Sequence, residues 1–324
     1  MATRRTFGRL TFGALLSTAS FTAGAQAFPV RPVRLIIPFP VGGHVDRVAR
    51  GISEQLSTEW GQPVLVEAKP GAASTIASAY VARSPADGYV LYVANLSALT
   101  QSGSVYPNLS YDVVKSFAAI TTIDRNYSIL VVRPQFQVNS VSELVGLAKA
   151  KPGKLNYGSS GQGGPIHIGT EKFKRMTGID AVHVPFNGTA PALQAVMSGD
   201  IEFMFSDASA LPLVETGRLK ALAVGGNRRW SALPGIPTVS ESGPSGFTLD
   251  SVEILLAPAG TPRAVIERIH DTVTKVMKKP AVTQYFRSLN VDVETSTPEE
   301  AQELIRSDFQ LNAEIIRALD LKVN

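Results

Sequence analysis

Cysteine is absent from all 324 residues. Disulfides, thiol nucleophiles and thiolate-held zinc are therefore excluded together, and stability must come from buried cores. Beyond the first 27 residues no apolar run is long enough to span a bilayer, which takes roughly 20 residues. Internal repeats and low-complexity tracts are lacking too. The basic excess is thin, with 31 lysines and arginines against 27 acids, and Arg4, Arg5 and Arg9 all fall in the N-terminal stretch. A near-neutral remainder removes the electrostatic case for nucleic acid or an acidic membrane as partner.

What is present begins with an export signal over residues 1–27. Basic residues precede a modestly apolar stretch from Leu10 to Phe21, and Ala25-Gln26-Ala27 suits a signal peptidase. Arg4-Arg5 followed by Phe7 fits a twin-arginine signal, and a basic start serves the general secretory route equally. Either way the expected location is the periplasm.

After the signal, short β-branched runs alternate with helical patterns. Val33 to Pro38, Val64 to Glu67, Val90 to Val93 and Ile129 to Val132 read as strands. Val45, Val48, Ala49, Ile52 and Leu56 repeat on one helical face. The rhythm resumes with strands at Leu155 to Tyr157, Ala181 to Val184, Ile201 to Phe205, Leu219 to Val224 and Ile254 to Ala257. Capping patterns start helices at Ser140 with Glu143 and at Thr297-Pro298 with Glu300. Such alternation, in a chain longer than one typical domain, predicts two α/β lobes with mixed or mostly parallel sheets and a ligand cleft between them.

Two glycine-rich turns stand between a strand and a helix: Pro40-Val41-Gly42-Gly43-His44-Val45-Asp46 and Tyr157-Gly158-Ser159-Ser160-Gly161-Gln162-Gly163-Gly164-Pro165. At a helix N-terminus the first amides lack intrahelical partners and the dipole favours an anion. Nucleotide motifs fail on spacing: Gly164 and Pro165 stand where a P-loop needs Lys and Ser or Thr, and the third glycine of a dinucleotide fingerprint is missing at Ile166. Ser160 lacks the glycine context of a hydrolase elbow, because Gln162 stands in its place. Of the four histidines, His183 and His270 read as core or surface residues, His167 lies just inside the second helix, and His44 sits in the first turn. The spacing of His44 and Asp46 matches no metal signature. Asp207, after an apolar strand, is either a helix cap or a ligand partner. Phe39 and Phe186 read as core residues beside the turns.

Six stretches taken in order carry a family resemblance: PFPVGGHVDRVAR (38–50), GQPVLVEAKPGAAS (61–74), SPADGYVLYVAN (84–95), KPGKLNYGSSGQGGPIHIGTEKF (151–173), VHVPFNGTAPALQAVMSGDIEFMFSD (182–207) and LLAPAGTP (255–262). Together they resemble the Bug-type solute-binding receptors of tripartite tricarboxylate transporters. The resemblance implies a type II periplasmic-binding-protein fold, with residues 28–130 plus 252–324 in one lobe and 131–251 in the other. It implies a small carboxylated solute held by Phe39, Val41, Gly42, Gly43, His44 and Asp46 in the first lobe, with Asn95 and Ser97 beside them. From the second lobe it implies Ser159, Ser160, Gly161, His167 and Asp207. No catalytic residue, cofactor or metal is expected, and the receptor is expected to be a monomer. Its partner would be a permease of small and large subunits, or, in a sensing role, a histidine kinase ectodomain. An exported hydrolase using Ser160 and His167 is the third reading. The chain departs from the family pattern at Val41, at His44-Val45, at Gly164, at Asn95-Leu96-Ser97 and at Val252-Glu253-Ile254, which counts against a standard dicarboxylate.

Overall fold

A computed structural model describes residues 28–106 and 108–318; the export signal over 1–27 lies outside the described residues. The strands are β1 (Val33–Ile37), β2 (Val64–Ala68), β3 (Val90–Asn95), β4 (Phe117–Tyr127), β5 (Ile129–Val132), β6 (Leu155–Ser159), β7 (Ala181–Pro185), β8 (Phe203–Ser206), β9 (Lys220–Val224), β10 (Asp250–Pro258) and β11 (Asp292–Val293). They form a six-stranded sheet in the order β11-β4-β10-β3-β1-β2 and a five-stranded sheet in the order β7-β6-β8-β5-β9. Both sheets are mixed. β1 pairs in parallel with β2 and β3, and β6 with β7 and β8, whereas β4, β5 and β10 pair antiparallel with their neighbours.

Strand residues alternate between two buried faces, so each sheet is covered on both sides. Val33, Leu35 and Ile37 pack with Leu91 and Val93 under the His44–Trp60 and Arg263–Met277 helices, while Ile36 joins Tyr92 and Ala94 on the other face. In the second sheet Leu130, Val132, Phe203 and Phe205 face one core, and Ile129, Val131 and Met204 the other. Side chains of this kind contribute about 1.5–3 kcal/mol each on full burial.

The chain changes sheet at Ser128 and again between β9 and β10. Gly225 N–H donates to Ser128 O at 2.8 Å and Leu249 N–H to Gly225 O at 2.6 Å, which ties the two crossings together. A Cβ at Gly225 would lie 2.2 Å from Leu249 O and from Ser128 Oγ, so this close approach requires glycine. The long connection from Ser231 to Phe247 carries a four-residue helix, Val239–Ser242, started by a Thr238–Glu241 capping box. No helix among the described residues is long and apolar enough to cross a membrane.

Candidate functional site

The two glycine turns have the same backbone construction. Each ends in a pair of glycines before its helix. Gly42 adopts φ +89° and Gly163 φ +74°, where a residue with a Cβ is strained. The next residue caps the helix in extended conformation: Gly43 at φ −73°, ψ 177° and Gly164 at φ −77°, ψ 167°. Three residues on, a side chain reaches back to the left-handed glycine. Asp46 Oδ2 accepts from Gly42 N–H at 2.9 Å, and His167 Nδ1 accepts from Gly163 N–H at 2.9 Å.

This arrangement locks the turn and leaves the helix-end amides free. The first intrahelical bond of the His44–Trp60 helix is Arg47 N–H to Gly43 O at 3.1 Å, so the amides of His44, Val45 and Asp46 precede it. In the Pro165–Thr177 helix that bond is Ile168 N–H to Gly164 O at 3.0 Å, which leaves the amides of Ile166 and His167, since Pro165 has none. Amides so placed favour a carboxylate.

Around the first turn the side chains are charged. Asp46 is buried, which would raise its pKa, yet the Arg50 guanidinium at 2.9 Å and the Gly42 N–H hold it below the usual range. His44 Nε2 lies 3.1 Å from Asp124 Oδ2 and 3.4 Å from Glu253 Oε2. Both acids are fully buried and face each other across the β4–β10 pairing, and Asn95 occupies the matching row on β3. Asn95 donates from Nδ2 to Glu253 Oε1 at 3.0 Å and to Ser251 Oγ at 2.5 Å, while its Oδ1 caps the Leu96–Val105 helix at Ala98 N–H. Burial would lower the pKa of His44, but the two carboxylates raise it to about 10. Burial, then the charge of Glu253, pushes Asp124 well up. Glu253 is opposed by burial as well, but His44 close beside it holds it down, so Glu253 is the ionised acid of the cluster.

Around the second turn the side chains are neutral. His167 and His183 stack 3.8 Å apart with their planes 9° from parallel, and Tyr157 stacks on His183 at 4.9 Å. Burial lowers the pKa of His167; burial followed by the charge of His167 lowers that of His183 to about 4. Ser159 Oγ donates to Gly161 O at 3.0 Å and lies 2.7 Å from His183 Nε2. Which of Ser159 and His183 donates follows the tautomer of the ring, and among the described hydrogen bonds no carboxylate orients His183. The serine–histidine contact is thus Ser159 with His183, and the expected Ser160–His167 pairing does not form among the described hydrogen bonds.

The other expected residues divide by surroundings. Val41 is 67% exposed at the tip of the first turn, while half-buried Phe39 packs on the core beneath it. Ser160 and Gly161 are half-buried at the second turn, and Gly161 adopts φ +148°. Ser97 lies in the first turn of the Leu96–Val105 helix. Asp207 is exposed and caps the Ala208–Ala210 turn, accepting from Ser209 N–H at 2.9 Å and from Thr189 Oγ1 at 3.2 Å. Three residues that meet the turns were not singled out from sequence as site residues: Asp124, Glu253 and His183. A charged residue inside an apolar strand, as in SVEILLAP, is the signal that Glu253 carried.

Comparison with known proteins is consistent across the chain. The model of the tripartite tricarboxylate transporter family receptor matches residues 48–321. A UPF0065 protein of Bordetella pertussis is 32% identical over 95% of this chain and 95% of its own length. Among solved structures, R. palustris Rpa4515 with adipate is 30% identical, covers 91% of this chain and 100% of its own, and superposes with a TM-score of 0.71. MatC (Rpa3494) from Rhodopseudomonas palustris with bound malate is 28% identical over 89% of this chain and 100% of its own, with a TM-score of 0.68.

Proposed function

The chain belongs to the tripartite tricarboxylate transporter receptor family, and from that premise we propose that its two glycine turns close on a small organic carboxylate in the periplasm. The observation that carries this reading is the duplicated turn. In each copy a left-handed glycine is locked by the third helical side chain, and two or three helix-end amides are left for an anion. Adipate and malate in the structures of relatives support a carboxylate as the solute class. Closing the lobes excludes water and strengthens each amide–carboxylate hydrogen bond, and the closed form is the one a permease of small and large subunits would recognise. Binding rather than turnover is the activity. Calorimetry with mono-, di- and tricarboxylates tests it: saturable binding of at least one acid is expected, and no binding across the panel contradicts it.

A further inference from the structure

We propose that His44 Nε2, Asp124 Oδ2 and Glu253 Oε2 form a binding site for one divalent transition-metal ion beside the first glycine turn. Three observations carry it. The first is spacing. The histidine nitrogen lies 3.1 Å and 3.4 Å from the two carboxylate oxygens, and all three atoms lie within 4.8 Å of one another. A tetrahedral ion with bonds of about 2.0–2.1 Å sets its ligand atoms about 3.3 Å apart.

The second is the unsatisfied oxygen. Glu253 is fully buried, and its Oε2 has no hydrogen-bond partner. The remaining carboxylate oxygens are each held from behind, Glu253 Oε1 by Asn95 Nδ2–H at 3.0 Å and Asp124 Oδ1 by Glu253 N–H at 3.3 Å. Outer-shell donors of this kind orient carboxylates toward a metal and leave one oxygen of each free for it. The third is charge. Two acids directly opposed across an antiparallel pair repel one another. A dication with a neutral imidazole balances both carboxylates.

One nitrogen and two carboxylate oxygens suit zinc or manganese. His44 is 22% exposed, so the ion retains an open flank for water or, on the receptor reading above, for a carboxylate of the solute.

Zinc and manganese, each alone, are titrated calorimetrically into chelator-stripped full-length mature protein, with anomalous scattering at the zinc edge to locate the ion. One zinc or manganese ion per chain is expected at His44, Asp124 and Glu253, with affinity at least tenfold lower in Glu253→Gln and in Asp124→Asn. His270→Asn, remote from the turns, is expected to bind as the parent does. Absence of stoichiometric binding, an ion located elsewhere, or equal affinity in a folded Glu253→Gln protein overturns the proposal. The carboxylate panel run on metal-free protein tests the receptor reading separately, so failure of one is distinguishable from failure of the other.

Discussion

The two glycine turns share a backbone and differ in charge. In the first, Asp46 locks Gly42 and a charged pair, His44 with Glu253, lies with Asp124 beside the turn; in the second, His167 locks Gly163 and a neutral stack of His167, His183 and Tyr157 lies beneath it. On the proposed reading, backbone conformation sets where an anion is received, and the side chains around each turn set its local field.

The largest expected effect is His44→Ala, which leaves the buried, ionised Glu253 without its cation and is expected to cost about 3 kcal/mol of folding stability. Chemical denaturation of the metal-free protein measures this. The reciprocal change at the neutral turn, His167→Ala, removes the acceptor from Gly163 N–H and is expected to cost only about 1 kcal/mol.

Next come the left-handed glycines. A Cβ at Gly42 or Gly163 would meet no atom within 4 Å, so the cost of Gly42→Ala and Gly163→Ala is conformational, about 1–2 kcal/mol. Where the substituted turn relaxes in the free protein, binding must restore the left-handed conformation, so carboxylate affinity is expected to fall by up to about tenfold in each, at about 1.4 kcal/mol per decade. Gly43→Ala keeps an ordinary φ and meets only Pro40 O at 3.4 Å, so its affinity is expected to stay within a few-fold. Equal loss in all three would remove the distinction between locking glycine and capping glycine.

The pH dependence separates the turns with opposite signs. His183 is held down to about 4 in the fold and returns to about 6.5 when unfolded. Its contribution is present above pH 6.5 and is lost as pH falls toward 4. The metal-free His44 is held up to about 10, so its contribution is complete below pH 6.5 and is lost as pH rises through 10. Denaturation midpoints of metal-free protein are expected to fall on both sides of neutrality, with His183→Gln flattening only the acid limb. The smallest effect belongs to Asp46→Asn, whose amide oxygen still accepts from Gly42 N–H and forfeits only the pair with half-exposed Arg50; it is expected to change stability by about 0.5 kcal/mol.

Much of this architecture was legible before the fold was seen, because alternation and caps are local. The strands at Val33, Val64, Val90 and Ile129, the helix after each glycine turn, and the Thr297–Glu300 box all follow from short-range chemistry, and the box forms with both reciprocal bonds. β4 was hidden by its polar residues: Thr121, Thr122, Asp124 and Arg125 interrupt any apolar alternation, yet all are buried. Their partners are remote in sequence. Arg125 pairs with Asp250 and Glu294, and Asp124 with His44, so only the sheet register satisfies them. For the same reason the spacing of His44 and Asp46 held no metal signature: the cluster spans residues 44, 124 and 253, joined by strand pairing rather than by spacing. Two of the departures from the family pattern, at His44 and Glu253, meet at that point. Asp207 shows the converse: a cap is local, and the cap is one of the two roles its position offers.

Whether the two turns act as one clamp is decided by a crystal structure with a bound carboxylate. Carboxylate oxygens are expected within hydrogen-bond reach, directly or through one water, of the His44 or Val45 amides on one side and of the Ile166 or His167 amides on the other. A solute bound with neither set of amides engaged would contradict it.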